Sequence, residues 1–170
     1  MKSLNIRILN ESDAQQYQEL RLTGLKTNPE AFGSTYERES KFSLETVIDR
    51  IRPTSDKFVL GAFNEFGLLH GIVALVRETG MKTTHKANVF GMYISKEKRG
   101  KGIGKTLMYE LIEIARKIEG LEQLKLSVVS DNEPAKKLYN SIGFKTYGIE
   151  PNALKFIGEY YDEDLMVFKL

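Results

Sequence analysis

The sequence predicts one α/β domain over residues 1–170, a mixed and mostly antiparallel sheet with helices on both faces. Three observations lead there. The chain has 170 residues, 41% of them hydrophobic and 28% charged, enough to bury one substantial core. Strand-like and helix-like apolar patterns follow one another as β-α-α-β-β-β-α-β-α-β-β. At the centre of that order, a strand at 89–94 leads through a helix to a strand at 123–129, a crossover that calls for a parallel pair.

The elements follow in order. Residues 4–9 alternate as a first strand would. Ser12, with Gln15 three residues on, has the spacing of a capping box, and a helix runs from there towards Lys26. Asn28 before Pro29 ends it, because a residue preceding proline is pushed out of helical geometry. Residues 30–42 are polar and irregular. A short helix follows from Ser43 to about Arg52, where Pro53 stops it. Strands are expected at 58–64, 71–77 and 87–95, with a hairpin turn at 64–67. Ile103, Leu107, Leu111, Ile114 and Ile118 keep a helical stripe that Gly120 closes. A strand at 123–129, a helix from Asn132 to Ile142 ended by Gly143, and strands at 144–149 and 164–170 complete the reading.

Composition narrows the function classes. The net charge of +2 gives no global field for nucleic acid. There is no cysteine, which removes disulfides, thiolate zinc sites and a cysteine nucleophile, and fits a cytoplasmic protein. Residues 1–10 lack the apolar core of a secretory signal, and no run approaches the roughly 20 apolar residues of a membrane span.

The most informative run is Arg99, Gly100, Lys101, Gly102, Ile103, Gly104 and Lys105, between a strand and a helix. Glycines at alternate positions let successive backbone N–H groups face one ligand, and the following helix adds its positive end. Five of the ten residues 96–105 are basic and only Glu97 is acidic. A phosphate-bearing ligand is expected. A Walker A loop would need glycine where Arg99 stands, and a dinucleotide fingerprint would need G-x-G-x-x-G rather than the G-x-G-x-G present.

The pattern Arg99-x-x-Gly102-x-Gly104 after a strand resembles the coenzyme A pyrophosphate loop of the GNAT superfamily of N-acetyltransferases. Asn132-x-x-Ala135-x-x-Leu138-Tyr139-x-x-x-Gly143-Phe144 resembles that superfamily's second block. The resemblance covers essentially the whole chain and implies a GNAT-like fold with acetyl-CoA as donor. It further implies that backbone amides from Arg99 to Gly104 cradle the pyrophosphate, with Ile103 in the same turn and Lys101 and Lys105 adding charge. The backbone of Met92, Tyr93 and Ile94 would pair with the pantetheine arm like a strand, and a backbone N–H of Met92 or Ile94 would face the oxyanion. Asn132 would contact the pantetheine, and Tyr139 would serve as general acid near the sulfur. Seven residues apart on a helix, the two share nearly one face. Asn132 also reads as a helix N-cap, and Tyr139 as a core residue.

The general base is the open element. The position that carries glutamate in ribosomal-protein alanine N-acetyltransferases, relatives within the superfamily, is Ser127 here, leaving Glu78, Glu37 and Asp162 as candidates by location. Phe32 and Tyr36 read as walls of the acceptor site or as core. Glu159, Asp162, Glu163 and Asp164 surround Tyr160 and Tyr161 near the expected last turn, as a solvated hairpin or as an attractor for a cationic acceptor. His70 and His85 share no metal-ligand spacing, and no metal is expected. The expected acceptor is a small-molecule or peptide amine, without nucleic acid or membrane as partner; homodimers are common in the superfamily. The competing readings are a non-catalytic coenzyme A-binding or regulatory domain, and an acyltransferase using a longer acyl-CoA.

Overall fold

A computed structural model describes residues 3–170; Met1 and Lys2, part of the stretch read for a leader, lie outside it. Seven strands form one sheet: β1 (Asn5–Ile8), β2 (Lys57–Phe63), β3 (Leu69–Arg77), β4 (Lys86–Ile94), β5 (Gln123–Val129), β6 (Lys145–Phe156) and β7 (Glu159–Lys169). Their spatial order is β1-β2-β3-β4-β5-β7-β6. Every pairing is antiparallel except β4 with β5, the pair joined by the crossover.

Helices α1 (Ala14–Thr27), α2 (Tyr36–Glu39) and α3 (Leu44–Ile51) accompany one face. Tyr17, Leu20, Leu25, Val47 and Ile51 pack there against Val59, Phe63 and Ile72 of the sheet. Helices α4 (Ile103–Arg116) and α5 (Glu133–Ile142) cover the other face. Leu107, Leu111, Ile112, Tyr139 and Phe144 pack there against Leu60, Val73, Leu75, Leu124 and Leu126. Alternate side chains of each central strand serve the two cores, as the period of two requires. No helix among the described residues is long and apolar enough to cross a membrane.

Three local expectations are corrected. The capping box before α1 is Asn10 with Asp13, not Ser12 with Gln15. Asn10 Oδ1 accepts from the Ser12 N–H at 2.9 Å, and Asp13 Oδ2 accepts from the Asn10 N–H at 2.8 Å. Arg7 clamps Asp13 with two hydrogen bonds of 2.7 and 2.8 Å, so strand β1 fixes where the helix begins. Residues 30–42 are not wholly irregular: a 3-10 turn, Pro29–Ala31, and α2 lie in or across them. The final hairpin is longer than expected, and the acidic run 159–164 belongs to β7 rather than to a turn. The turn sits at Ile157 and Gly158, with φ of 48° and 76°.

Two irregularities position the site. Strands β4 and β5 pair only at Lys86, Asn88 and the residue between, then part, which opens a cleft between their C-terminal halves. Within β4, Ile72 stands opposite Tyr93 and Ala74 opposite Phe90, so Gly91 and Met92 together oppose one residue of β3. This is a β-bulge, with Gly91 at φ +60°, and it turns the β4 backbone at the cleft.

Candidate active site

The cleft has a volume of about 740 Å³ and runs through the sheet from one face to the other. Its walls on the α4–α5 side include Leu126, Val128, Asn132, Ala135, Leu138 and Tyr139. On the α1–α3 side they include Arg21, Phe32, Arg50, Lys57, Phe90 and Lys125, with Glu163 of β7 on the far wall.

Beside the cleft, the turn between β4 and α4 presents a run of unpartnered backbone N–H groups. Gly100 and Gly102 have φ of +74° and +79°, which disfavours any residue with a Cβ. A Cβ built on either would meet nothing within 4 Å, so the turn is open on that side. The backbone N–H groups of residues 100–105 find no acceptor among the described residues; the next, of Thr106, bonds the Gly102 carbonyl at 3.0 Å. The unpartnered run thus begins one residue later than expected, because the Arg99 N–H is shared with the Lys96 carbonyl at 3.4 Å. Gly104 serves packing: a Cβ there would lie 3.3 Å from Leu138 Cδ2, where α4 and α5 meet.

The Arg99 side chain points away from the turn. It donates to the Ile94 carbonyl and to Asn28 Oδ1, both at 3.0 Å, and lies 5.3 Å from the Tyr93 ring centroid. Its guanidinium therefore braces the loop against β4 and the end of α1. Lys101 and Lys105 remain at the turn, with Lys105 Nζ 5.8 Å from the Tyr109 ring.

The second block is split between structure and cleft. Asn132 caps α5, its Oδ1 accepting from the Ala135 N–H at 3.3 Å, and the residue lines the cleft. Tyr139 is 7% exposed, edge-on to Phe144 at 5.9 Å between ring centroids. It lines the cleft, and its hydroxyl makes no hydrogen bond among the described residues. Burial pushes its phenol up to about 12, so it holds its proton throughout the neutral range.

The remaining candidates separate. Met92 lines the cleft at the bulge; Tyr93 turns its ring into the α1 core, its hydroxyl 3.2 Å from Thr27 Oγ1. Phe32 is both core and cleft wall, 6.1 Å from the Tyr93 ring. Tyr36 does not reach the main cleft and instead lines a smaller pocket beside α2, together with Glu37. Glu78 is tied to Asn88 and Lys86 outside the cleft. Despite the upward push of burial, hydrogen bonds from Asn88 and Thr83 and the lysine charges hold its carboxyl below the usual range. Asp162 accepts from the Asn152 N–H at 2.7 Å across the hairpin.

Of the acidic run, only Glu163 lines the cleft. Burial, reinforced by the neighbouring Glu150 charge, raises its carboxyl above the ordinary value. Asp164, on the opposite face of β7, is taken up by Ser130 at 2.6 Å and Lys136 at 3.2 Å. Of these four acidic residues only Glu163 therefore faces the cleft, whose α1–α3 side is otherwise mainly basic. Sequence reasoning missed Arg21 and Arg50, which meet on the buried carboxylate of Glu39. Among the described residues, no group of three His, Cys, Asp or Glu side chains forms a metal site.

A sequence profile described as an acetyltransferase (GNAT) domain matches residues 6–165. The chain is 31% identical over 83 residues to the Bacillus subtilis (strain 168) protein YwnH, provisionally named a phosphinothricin acetyltransferase. That match covers 49% of this chain and 50% of YwnH. It is 31% identical over 81 residues to the L-amino acid N-acetyltransferase AaaT of Escherichia coli (strain K12), covering 48% of this chain and 49% of AaaT. The chain thus spans about half the length of the curated relatives it matches. The structure of YncA from Salmonella typhimurium, with its cofactor acetyl-CoA, has a TM-score of 0.85 at 19% identity, covering 98% of this chain and 94% of that one. At that identity the likeness is one of fold.

Proposed function

Since the chain belongs to the acetyltransferase (GNAT) domain family, we propose that it transfers an acetyl group from acetyl-CoA directly to a primary amine of a small molecule or peptide. The observation that carries this reading is the set of unpartnered N–H groups at residues 100–105, opening beside a cleft that holds Tyr139. Adjacent backbone donors at a helix N-terminus suit a pyrophosphate, and Lys101 and Lys105 supply charge. The β4 edge beyond Asn88, freed from β5, offers its backbone to a pantetheine arm, with Asn132 on the facing wall.

Acetyl-CoA, when bound, supplies an activated acetyl thioester. Tyr139 keeps a proton at Oη in the cleft and would donate it in a hydrogen bond to the thioester sulfur. A phenol near 12 is a weaker acid than an ordinary thiol near 8.5, so it stabilises developing charge by hydrogen bonding rather than by surrendering its proton outright. The bulge at Gly91 and Met92 interrupts the pairing of β4 with β3 at the cleft, where a backbone N–H would serve as oxyanion donor. Glu163, with its raised carboxyl, is the best-placed base to take a proton from the incoming ammonium. The names of YwnH and AaaT support small, amino-acid-like acceptors over proteins.

The test is release of free thiol from acetyl-CoA across a panel of primary amines, with Tyr139→Phe as control. Turnover with at least one amine, reduced about 10²–10⁴-fold in kcat by the substitution, is expected. Acetyl-CoA binding with no turnover on any amine would instead make this a coenzyme A-binding module.

A further inference from the structure

The α1–α3 side of the cleft contains a nearly buried guanidinium with two nitrogens left unpaired. Arg21 of α1 is 7% exposed. Its Nε donates to both carboxylate oxygens of Glu39, at 3.0 and 2.9 Å. Glu39 is fully buried and is also bonded by Arg50. Arg21 Nη1 and Nη2, the two prongs of its fork, have no partner among the described residues. Neither bonds Glu39, and the residue lines the cleft.

The fork is fixed in place and close to the reaction. The Phe32 ring lies 5.5 Å from the guanidinium carbon. Nη1 stands 3.0 Å from where a Cβ on Gly91 would be, so it abuts the bulge immediately before Met92. Glu39 balances only one of the two arginines, leaving the cluster one net positive charge. Lys57 and Lys125 add to it on the same face, and Glu163 is the carboxylate of the opposite wall. A guanidinium fork matches a carboxylate with two parallel hydrogen bonds.

We propose that the Arg21 fork is the receptor for a carboxylate on the acceptor, which makes α-amino acids the preferred acceptors. In an α-amino acid the amine and the carboxylate leave the same carbon, which suits a receptor adjoining the bulge. The ammonium then faces Glu163 while the carboxylate faces Arg21. A polyamine, or a lysine side chain within a protein, offers nothing to the fork and meets a basic wall. This assignment rests on the acetyl-transfer reading for its turnover arm only.

The experiment compares kcat/KM of the full chain for L-α-amino acids, their α-carboxamides and the corresponding decarboxylated amines. Charge-assisted hydrogen bonds of this kind are worth about 10- to 100-fold, and the acids are expected to lead by that factor. Intrinsic reactivity runs the other way, because the amides deprotonate more readily. Arg21→Lys keeps a cation beside Glu39 but removes the fork; it is expected to collapse the acid-over-amide ratio while acetyl-CoA affinity stays unchanged. Amides or plain amines used as well as the acids would overturn the proposal, as would an unchanged ratio in Arg21→Lys. Calorimetric titration of amino acid and amide onto coenzyme A-saturated protein reads the same preference without chemistry, and binding of neither also overturns it. Failure of acetyl transfer itself shows separately, as absence of thiol release with every class of amine.

Discussion

Tyr139 and Glu163 sit at the same cleft with their ionisation pushed in one direction for one reason: burial penalises both charged forms. The consequences differ because the phenol starts high and the carboxylate low. Tyr139 stays protonated at any working pH, so Tyr139→Phe should lower kcat without changing the shape of the pH profile. Glu163 must be ionised to accept a proton. The acid limb of kcat/KM should therefore rise with pH through an apparent pKa above the ordinary carboxylate range, and Glu163→Gln should abolish that limb. A limb that survives the substitution would remove Glu163 from the role. The glycines of the turn, Asn132 and Tyr139 were legible in sequence because their types and spacing form a pattern. Arg21 was not, and Glu163 was legible only as one of four acidic residues near the last turn. Only the packing of α1 and β7 against the divided sheet brings the two to one cavity.

At the level of elements, the start of α1 shows how close two local signals can lie. Ser12 with Gln15 and Asn10 with Asp13 both have capping-box spacing, and Arg7 decides between them by clamping Asp13 from β1. Arg7 depresses the Asp13 carboxyl, chiefly by hydrogen bonding and against the effect of burial. A depressed folded-state pKa means that this stabilisation is complete above the unfolded value near 4 and is lost as pH falls through the folded value. Asp13→Ala should cost about 1–2 kcal/mol, near 2–8 °C in Tm at neutral pH, and less in acid. An equal loss at all pH values would contradict that account. The final hairpin was underestimated for a related reason. Much of β6 is exposed, and its pairing with β7 shifts between Glu150 and Leu154, so the alternation that marks a half-buried strand is interrupted.

For the whole molecule, the cleft follows from one departure from regularity: among the described residues the sheet has one parallel pair, and it separates after three residue pairs. The crossover order was readable from periodicity, but the divergence was not, because nothing in a strand's composition states where its neighbour leaves it. That divergence puts the α4–α5 face, with its glycine-rich turn, and the α1–α3 face, with its arginine cluster, in contact through one opening. Charge at the turn can be tested without disturbing the core. Replacing the exposed Lys101 and the nearby Lys105 by glutamate should weaken acetyl-CoA binding at least about 10-fold and make it less salt-dependent, with Tm of the free protein nearly unchanged.

The most direct measurement is a thermal-shift series of the full chain with acetyl-CoA, coenzyme A, ATP and NADH, repeated on Gly102→Val. At about 100 times Kd, binding contributes about 2.7 kcal/mol, a rise of roughly 5–10 °C for a chain of this length. A shift with the two coenzyme A species alone, lost in Gly102→Val, is the predicted result. A shift with ATP or NADH instead, or an undiminished coenzyme A shift in the variant, would contradict the assignment of the turn at residues 100–105.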